Sequence, residues 1–216
     1  MVVREKFEQE LVQLKEKLVR LAYLASESIE ESFIALEEQD LDKAVQIIEN
    51  DNKADLLEEE INDFAILLIA KQQPVAIDLR RIVAAIKIAS DIERMADFGV
   101  NIAKSAIRIG QNPLIYSLTE LKTMQTITLE MIDLAIQAFE TEDIALARKI
   151  AEMDDEVDRL YGESIKGMLQ LSNSNLQQIT QLSFVARYLE RTADHVTNIA
   201  ESIYYLVRGR HLDLNE

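Results

Sequence analysis

The chain has 216 residues, 48% of them apolar, with a formal net charge of −16 and no cysteine. The charge argues against nucleic acid and anionic lipid as partners, because both present phosphates that require a basic surface. The lack of cysteine excludes disulfides, thiolate metal sites and cysteine nucleophiles. With only five glycines and two prolines, turns are few, so the elements between them should be long helices.

Apolar residues recur every three or four positions along nearly the whole chain, which predicts helices. A first helix is predicted over residues 4–38. A second begins at Asp40, a suitable N-cap, and runs to residue 71. Pro74 breaks it, and a third helix spans residues 78–109 before the stretch GQNP, where a glycine followed by a proline favours a stop.

The second half follows the same plan, with helices predicted over residues 118–140, 143–171 and 176–207. Asp143 is the predicted N-cap of the middle helix, residues 172–175 form a loop, and residues 208–216 form a frayed tail. No apolar run approaches the roughly 20 residues that a membrane span requires. The first residues also lack the apolar core of a signal peptide. We therefore expect a cytoplasmic protein with no direct membrane insertion.

The two halves are copies of one unit. Nine of the seventeen residues from Ala89 to Ser105 are identical to those 97 positions later, and nine of twenty-three from Ala35 to Leu57 match at an offset of 103. The change of offset places about six extra residues in the helix 2–3 connection of the first half. We predict an all-α protein of six long helices. It is a tandem duplication of two antiparallel three-helix bundles, residues 1–112 and 113–216.

Pairs of acids four residues apart recur at equivalent places in both halves. Chance alone gives about seven such pairs in so acidic a helical chain, so position is more informative than number. Each pair follows the apolar stripe of its helix directly and therefore lies on the same shoulder of the core. If the shoulders of neighbouring helices face each other, each half holds four carboxylates in one cluster. The candidate metal ligands are Asp51, Asp55, Glu93, Asp97, Asp154, Asp158, Glu190 and Asp194.

Carboxylate oxygens without histidine or cysteine suit hard cations: calcium, magnesium, manganese or ferric iron, with zinc still possible. Ferritin-type diiron bundles are the nearest analogue, but their Glu-x-x-His motif is absent. His195 follows Asp194, yet its counterpart in the first half is Phe98, which favours an incidental role. Asn101 and Asn198 are either auxiliary ligands or polar caps.

The arginines at equivalent positions of the two halves, Arg94 and Arg191, have two open interpretations. They neutralise the acids when no metal is bound, or they bind a partner's carboxylate.

These motifs resemble those of the PhoU family, the phosphate-specific transport system accessory proteins. They read DNKAD at 51–55, ERMAD at 93–97, DDEVD at 154–158 and ERTAD at 190–194. The resemblance implies a cytoplasmic, non-enzymatic negative regulator of phosphate uptake. It implies action between the phosphate ABC transporter, through its ATPase, and a sensor histidine kinase, with recruitment to the membrane through the transporter. It also implies a homodimer and binding of iron or other metal ions through the four motifs.

Two other functions compete with this one. The first is a carboxylate-bridged metal-storage or oxidase protein of ferritin type, which the missing Glu-x-x-His disfavours. The second is a structural helical adaptor that binds no metal. No phosphate-binding glycine loop of the kinds GxxxxGK[ST] or GxGxxG is present.

Overall fold

A computed structural model describes residues 2–171, 175–210 and 212, and these residues form helices and connections without a strand. This confirms the all-α class. Residues 172–174 of the predicted loop, and residues 211 and 213–216 of the predicted tail, lie outside the described residues. The helices are α1 Val2–Glu38, α2 Leu41–Glu49, α3 Asn52–Gln72, α4 Ala76–Ile109, α5 Thr119–Thr141, α6 Ile144–Leu169 and α7 Leu176–Arg208.

The six predicted helices are all found, but the second is divided into α2 and α3 around Asn50 and Asp51. The Lys53 N–H donates to the Asn50 carbonyl at 3.1 Å, and the Ala54 N–H to the Asp51 carbonyl at 3.2 Å. These i to i−3 bonds tighten one turn of the helix. The Asn50 side chain also donates to the Gln46 carbonyl at 2.8 Å, which competes with the regular helix bond. The equivalent part of α6 is continuous.

The predicted helix starts and stops have clear local causes. The Asp40 side chain accepts a hydrogen bond from the Lys43 N–H at 2.9 Å, and Asp143 accepts one from the Ala145 N–H at 2.8 Å. Both are N-caps, as predicted. At the end of α4, Gly110 has a φ of 72°, a conformation that glycine adopts without strain.

Helices α4 and α7 form the centre of the molecule and pack along each other. Helices α1 and α3 pack against α4, while α5 and α6 pack against α7, and α1 also contacts α5. A single hydrophobic core therefore includes residues from both halves. The division of the chain at residue 112 stays a prediction from the sequence repeat.

Helices α1 and α4 approach each other closely at Gly99. A Cβ atom at this position would lie 2.3 Å from the Ser28 Oγ and 2.7 Å from the Ser28 carbonyl carbon. Glycine is therefore required by the packing, because any side chain would meet the backbone of α1. Gly99 lies two residues after Asp97, so the close packing of α4 against α1 occurs beside two of the candidate ligands, Glu93 and Asp97.

In the part of the chain that the structure describes, no helix combines the length and the apolar character needed to cross a bilayer.

Candidate metal centres

The first acid cluster lies between α3 and α4. Asp51 is in the turn between α2 and α3, Asp55 is one turn further on, and Asp97 faces them from α4. One carboxylate oxygen from each of these three residues lies within 4.8 Å of the other two. Three of the four predicted ligands of this half therefore converge, as expected if the acid pairs of neighbouring helices face each other.

Glu93 lies one helical turn before Asp97, at the edge of the same cluster. Burial raises the pKa of Glu93, the negative charge of Asp97 raises it further, and Asp55 adds to the effect. The pKa of Asp51 is also raised, chiefly by burial and then by Asp55 and Asp97. The like charges thus act on one another across the α3–α4 groove, which is the electrostatic condition for cation binding.

The second cluster lies between α6 and α7 and is more deeply buried. Its inner members, Asp154 and Glu190, expose only 9% and 8% of their surface. Burial raises the pKa of Asp154 to about 7, with Asp158 and then Asp194 adding to the effect. Burial also raises the pKa of Glu190 to about 7, followed by the charge of Asp194. All four predicted ligands of this half therefore share one groove.

Two buried oxygens of the second cluster have no hydrogen-bond partner: the Asp154 Oδ1 and the Glu190 Oε2. A buried acceptor without a donor is costly, and a bound cation would remove that cost. The two clusters also differ in how closely their carboxylate oxygens approach one another. Among the described residues, only the trio of the first cluster brings three candidate ligand atoms within 4.8 Å of one another. The second cluster is the more buried of the two and the less convergent.

Arginines neutralise both clusters, but they are not the pair that the repeat suggested. Arg94 lies 2.9 Å from the Asp97 carboxylate and 3.4 Å from that of Glu93. In the second half Arg187, which sequence reasoning missed, pairs with Glu190. Arg191, the repeat counterpart of Arg94, instead lies over the Phe98 ring at 5.3 Å. Arg191 still acts on the second cluster at longer range, because its charge opposes the rise that burial and Asp194 cause in the pKa of Glu190. Of the two arginines, only Arg94 forms direct ion pairs with its cluster.

His195 does not join the acid cluster beside it. Its Nδ1 lies 2.9 Å from the Asp91 Oδ1 on α4, and the Asn198 Nδ2 lies 3.5 Å from the same oxygen. In the equivalent place of the other half, the Phe98 ring stacks on Tyr188 with centroids 5.9 Å apart. The offset of 97 relates Asp91 to Tyr188 and Phe98 to His195. The same pair of equivalent positions thus forms a polar contact, His195–Asp91, at one place in the α4–α7 interface and an aromatic contact, Phe98–Tyr188, at the other.

Eight carboxylates at two helix–helix grooves, with oxygen as the predominant donor, fit a hard cation. The fold and these grooves define a class of protein: duplicated helical bundles with a carboxylate cluster in each copy. The chain lacks the Glu-x-x-His motif of ferritin-type diiron proteins. His195, which follows Asp194 of the second cluster, pairs with Asp91 instead.

Comparison with known proteins identifies the family. The family model described as PhoU domain matches residues 18–106 and again residues 121–203. The chain is 36% identical over 219 residues to the phosphate-specific transport system accessory protein PhoU homolog of Clostridium acetobutylicum, with 100% of both chains covered. It is 38% identical to that of Aquifex aeolicus, covering 93% of this chain and 92% of the relative.

Solved structures agree with the sequence matches. The crystal structure of the phosphate transport system regulatory protein PhoU from Streptococcus pneumoniae superposes with a TM-score of 0.90 at 29% identity, covering 96% of this chain and 99% of that one. PhoU from Pseudomonas aeruginosa superposes with a TM-score of 0.88, also at 29% identity, covering 94% and 100%. The chain belongs to the PhoU family, which confirms the resemblance drawn from its four acidic motifs.

Proposed function

We propose that this protein is a non-enzymatic regulator of phosphate uptake and of the phosphate-starvation response. The proposal is supported by family membership over the full length of the chain and by relatives named as accessory proteins of the phosphate-specific transport system. Its partners are the phosphate ABC transporter, contacted through the ATPase, and a sensor histidine kinase. The protein acts as a homodimer in the cytoplasm and reaches the membrane through the transporter.

The proposal includes cation binding by both acid clusters. Two observations carry it. Oxygens of Asp51, Asp55 and Asp97 lie within 4.8 Å of one another in the first groove, and the buried Asp154 Oδ1 and Glu190 Oε2 lack donors in the second. Left without a counter-ion, these groups repel one another in a partly dry environment. A hard cation such as iron, manganese, magnesium or calcium would offset that repulsion and join α3 to α4 and α6 to α7. It would supply charge and fixed geometry rather than chemistry.

The regulatory role is tested in cells by deleting the gene and following a phosphate-starvation reporter at high phosphate. We expect the reporter to be expressed in the deletion strain and to fall silent again when the parent gene is restored. A reporter that stays silent without the gene contradicts the regulatory proposal. A pull-down with the transporter ATPase and with the sensor kinase tests the two partners separately.

The role of the clusters is tested by complementing the same strain with Asp97→Asn and Asp194→Asn together. The matched control is Asp63→Asn, because Asp63 is an exposed acid of α3 outside the clusters. We expect the double variant to lose both metal content and repression while the control keeps both. If the double variant loses metal and still represses fully, the cations have a structural role only.

A further inference from the structure

Helix α2 is packed less firmly than its counterpart in the second repeat, the segment 144–152 at the start of α6. Among the described residues of α2, only Ala44 is buried, in a small cluster of three alanines that is separate from the main core. In the counterpart, Ala147 and Ile150 are both buried members of the main core, whereas Ile47, the residue equivalent to Ile150, is only partly buried. Because buried apolar contacts hold a segment in place, α2 should open more readily than residues 144–152.

A cavity of about 280 Å³ lies between α2 and the two helices on which it packs, α1 and α4. Ile47 of α2 and Ala96 and Val100 of α4 are among the residues that line it. The inner side of α2 therefore lacks part of the contacts that a closely packed helix makes. Lys43 also joins α2 to α1, with its Nζ 2.8 Å from the Glu31 carboxylate, but this ion pair is half-exposed and screened by solvent. The contacts that hold α2 in place are thus few.

The turn at Asn50 and Asp51 provides a hinge between this loosely packed helix and α3. Residues 49–54 contain neither glycine nor proline, so their covalent structure permits a regular helix, as in the continuous α6. What interrupts the helix is local hydrogen bonding, including the bond from the Asn50 side chain to the Gln46 carbonyl. The residue equivalent to Asn50 is Met153, which has no such donor. The first repeat therefore has a hinge at a place where the second has none.

Asp51 connects this hinge to the first acid cluster. It directly precedes α3, the position from which Asp40 and Asp143 cap their own helices, yet among the described residues its side chain accepts no capping hydrogen bond. One of its oxygens lies instead within 4.8 Å of oxygens of Asp55 and Asp97. The three carboxylates repel one another when they are alone and are drawn together by a shared cation. The position of the hinge therefore depends on whether a cation is bound.

We propose that α2 is a hinged arm whose position is controlled by the cation of the first cluster. With a cation on Asp51, Asp55 and Asp97, the hinge is fixed and α2 stays on α1 and α4. Without the cation, Asp51 moves away from the other two carboxylates, and α2 opens and uncovers its alanine cluster. The inference rests on the cation binding proposed above. The second cluster lacks such an arm, because its ligand equivalent to Asp51, Asp154, lies within the continuous α6. Metal occupancy of one cluster is thereby converted into a change of surface.

The test is hydrogen–deuterium exchange, followed by mass spectrometry, on the full-length protein after chelator treatment and after loading with Mn²⁺. Peptides that cover α2 are compared with peptides that cover residues 144–152. In metal-free protein we expect the amides of α2 to exchange faster than those of the counterpart. Mn²⁺ should slow the exchange of α2 by roughly tenfold, within the usual range of coupling between sites, and should change the counterpart much less.

Three variants assign the effect to the hinge and its cluster. Asp97→Asn removes a carboxylate of the trio without altering α2, and should abolish the effect of Mn²⁺ on α2. Asp194→Asn makes the same change in the second cluster and is the matched control, in which Mn²⁺ should still slow the exchange of α2. Asn50→Met places the residue of the second repeat in the turn and should slow the exchange of α2 even in metal-free protein, because the competing bond to the Gln46 carbonyl is lost. Circular dichroism confirms that each variant is folded.

The outcomes separate the hinged arm from the cation proposal. If Mn²⁺ binds to the parent and α2 exchanges at the same rate with and without it, the arm is wrong and the cation proposal stands. Equal slowing of α2 and residues 144–152 also contradicts the arm, because it indicates a general gain in stability on binding. A metal-free Asn50→Met protein whose α2 exchanges as fast as the parent's overturns the hinge. If the parent binds no more Mn²⁺ than Asp97→Asn, the first cluster holds no cation and the arm fails with the cation proposal.

Discussion

The buried acid of the second cluster gives the sharpest test of the electrostatic argument. Asp154→Asn replaces the carboxylate by an amide of nearly the same shape and removes one negative charge from the α6–α7 groove. The pKa of Asp154 is about 7 in the folded protein against its ordinary value of 3.8. Since the folded state holds the proton more tightly, the Asp154 proton stabilises the folded state, and this contribution is complete below pH 3.8. Its contribution is lost as the pH rises toward 7.

The interval between those pKa values corresponds to about 4 kcal/mol in the free energy of unfolding. Water reaching the edge of the groove reduces the burial penalty and screens part of the repulsion, so we expect the observed effect to be on the order of 2 kcal/mol. In metal-free protein at pH 8, Asp154→Asn should therefore be more stable than the parent by about that amount. At pH 5 about a third of the interval between the two pKa values has been crossed, so the difference between the two proteins should be about a third as large.

The assay is urea unfolding of chelator-treated protein at pH 5 and pH 8, followed by circular dichroism. Asp133→Asn is the matched control, because Asp133 is an exposed acid of α5 outside both clusters, and its stability should follow the parent at both pH values. An Asp154→Asn protein that gains nothing on the parent between pH 5 and pH 8 would refute the reasoning. In that case the charged form of Asp154 would carry no cost of burial or repulsion for a cation to relieve.

Three further predictions follow from the packing and the first cluster. Gly99→Ala should destabilise the protein by about 1–3 kcal/mol in urea melts, because its methyl group meets the backbone of α1. Gly162→Ala is the control: its methyl group meets no atom within 4 Å, so it should stabilise the protein by about 0.5–1 kcal/mol. Equal effects of the two substitutions would argue against the close α1–α4 approach. His195→Phe and Asp91→Tyr should each destabilise the protein alone but compensate each other together, because the double variant copies the Phe98–Tyr188 contact of the other half. A double-mutant cycle should give a coupling of about 1 kcal/mol. Strictly additive effects would show that the two residues do not interact. Asp97→Asn should lower metal content by elemental analysis through the first cluster alone, and a complete loss of metal would mean that the two clusters are not independent.

Much of this protein was determined by local sequence. The apolar period of three to four residues defined the helices, and the short carboxylates of Asp40 and Asp143 marked two helix starts correctly because capping depends on neighbouring backbone groups alone. The acid pairs were also predictable, because residues four apart share a helix face wherever the helix lies. The duplication, read from identical residues at fixed offsets, predicted that whatever one half does with its acids the other half repeats.

The tertiary structure decided where the two halves differ. The burial of Asp154 and Glu190 and the pairing of His195 with Asp91 depend on which helices meet and how closely. A sequence period gives the angle of a side chain around its own helix but not its distance from a neighbouring helix. That distance is set by interhelical packing, and the glycine contact between α1 and α4 is an example. The sequence period therefore could not show that the acids of the first cluster converge more tightly while those of the second are more buried.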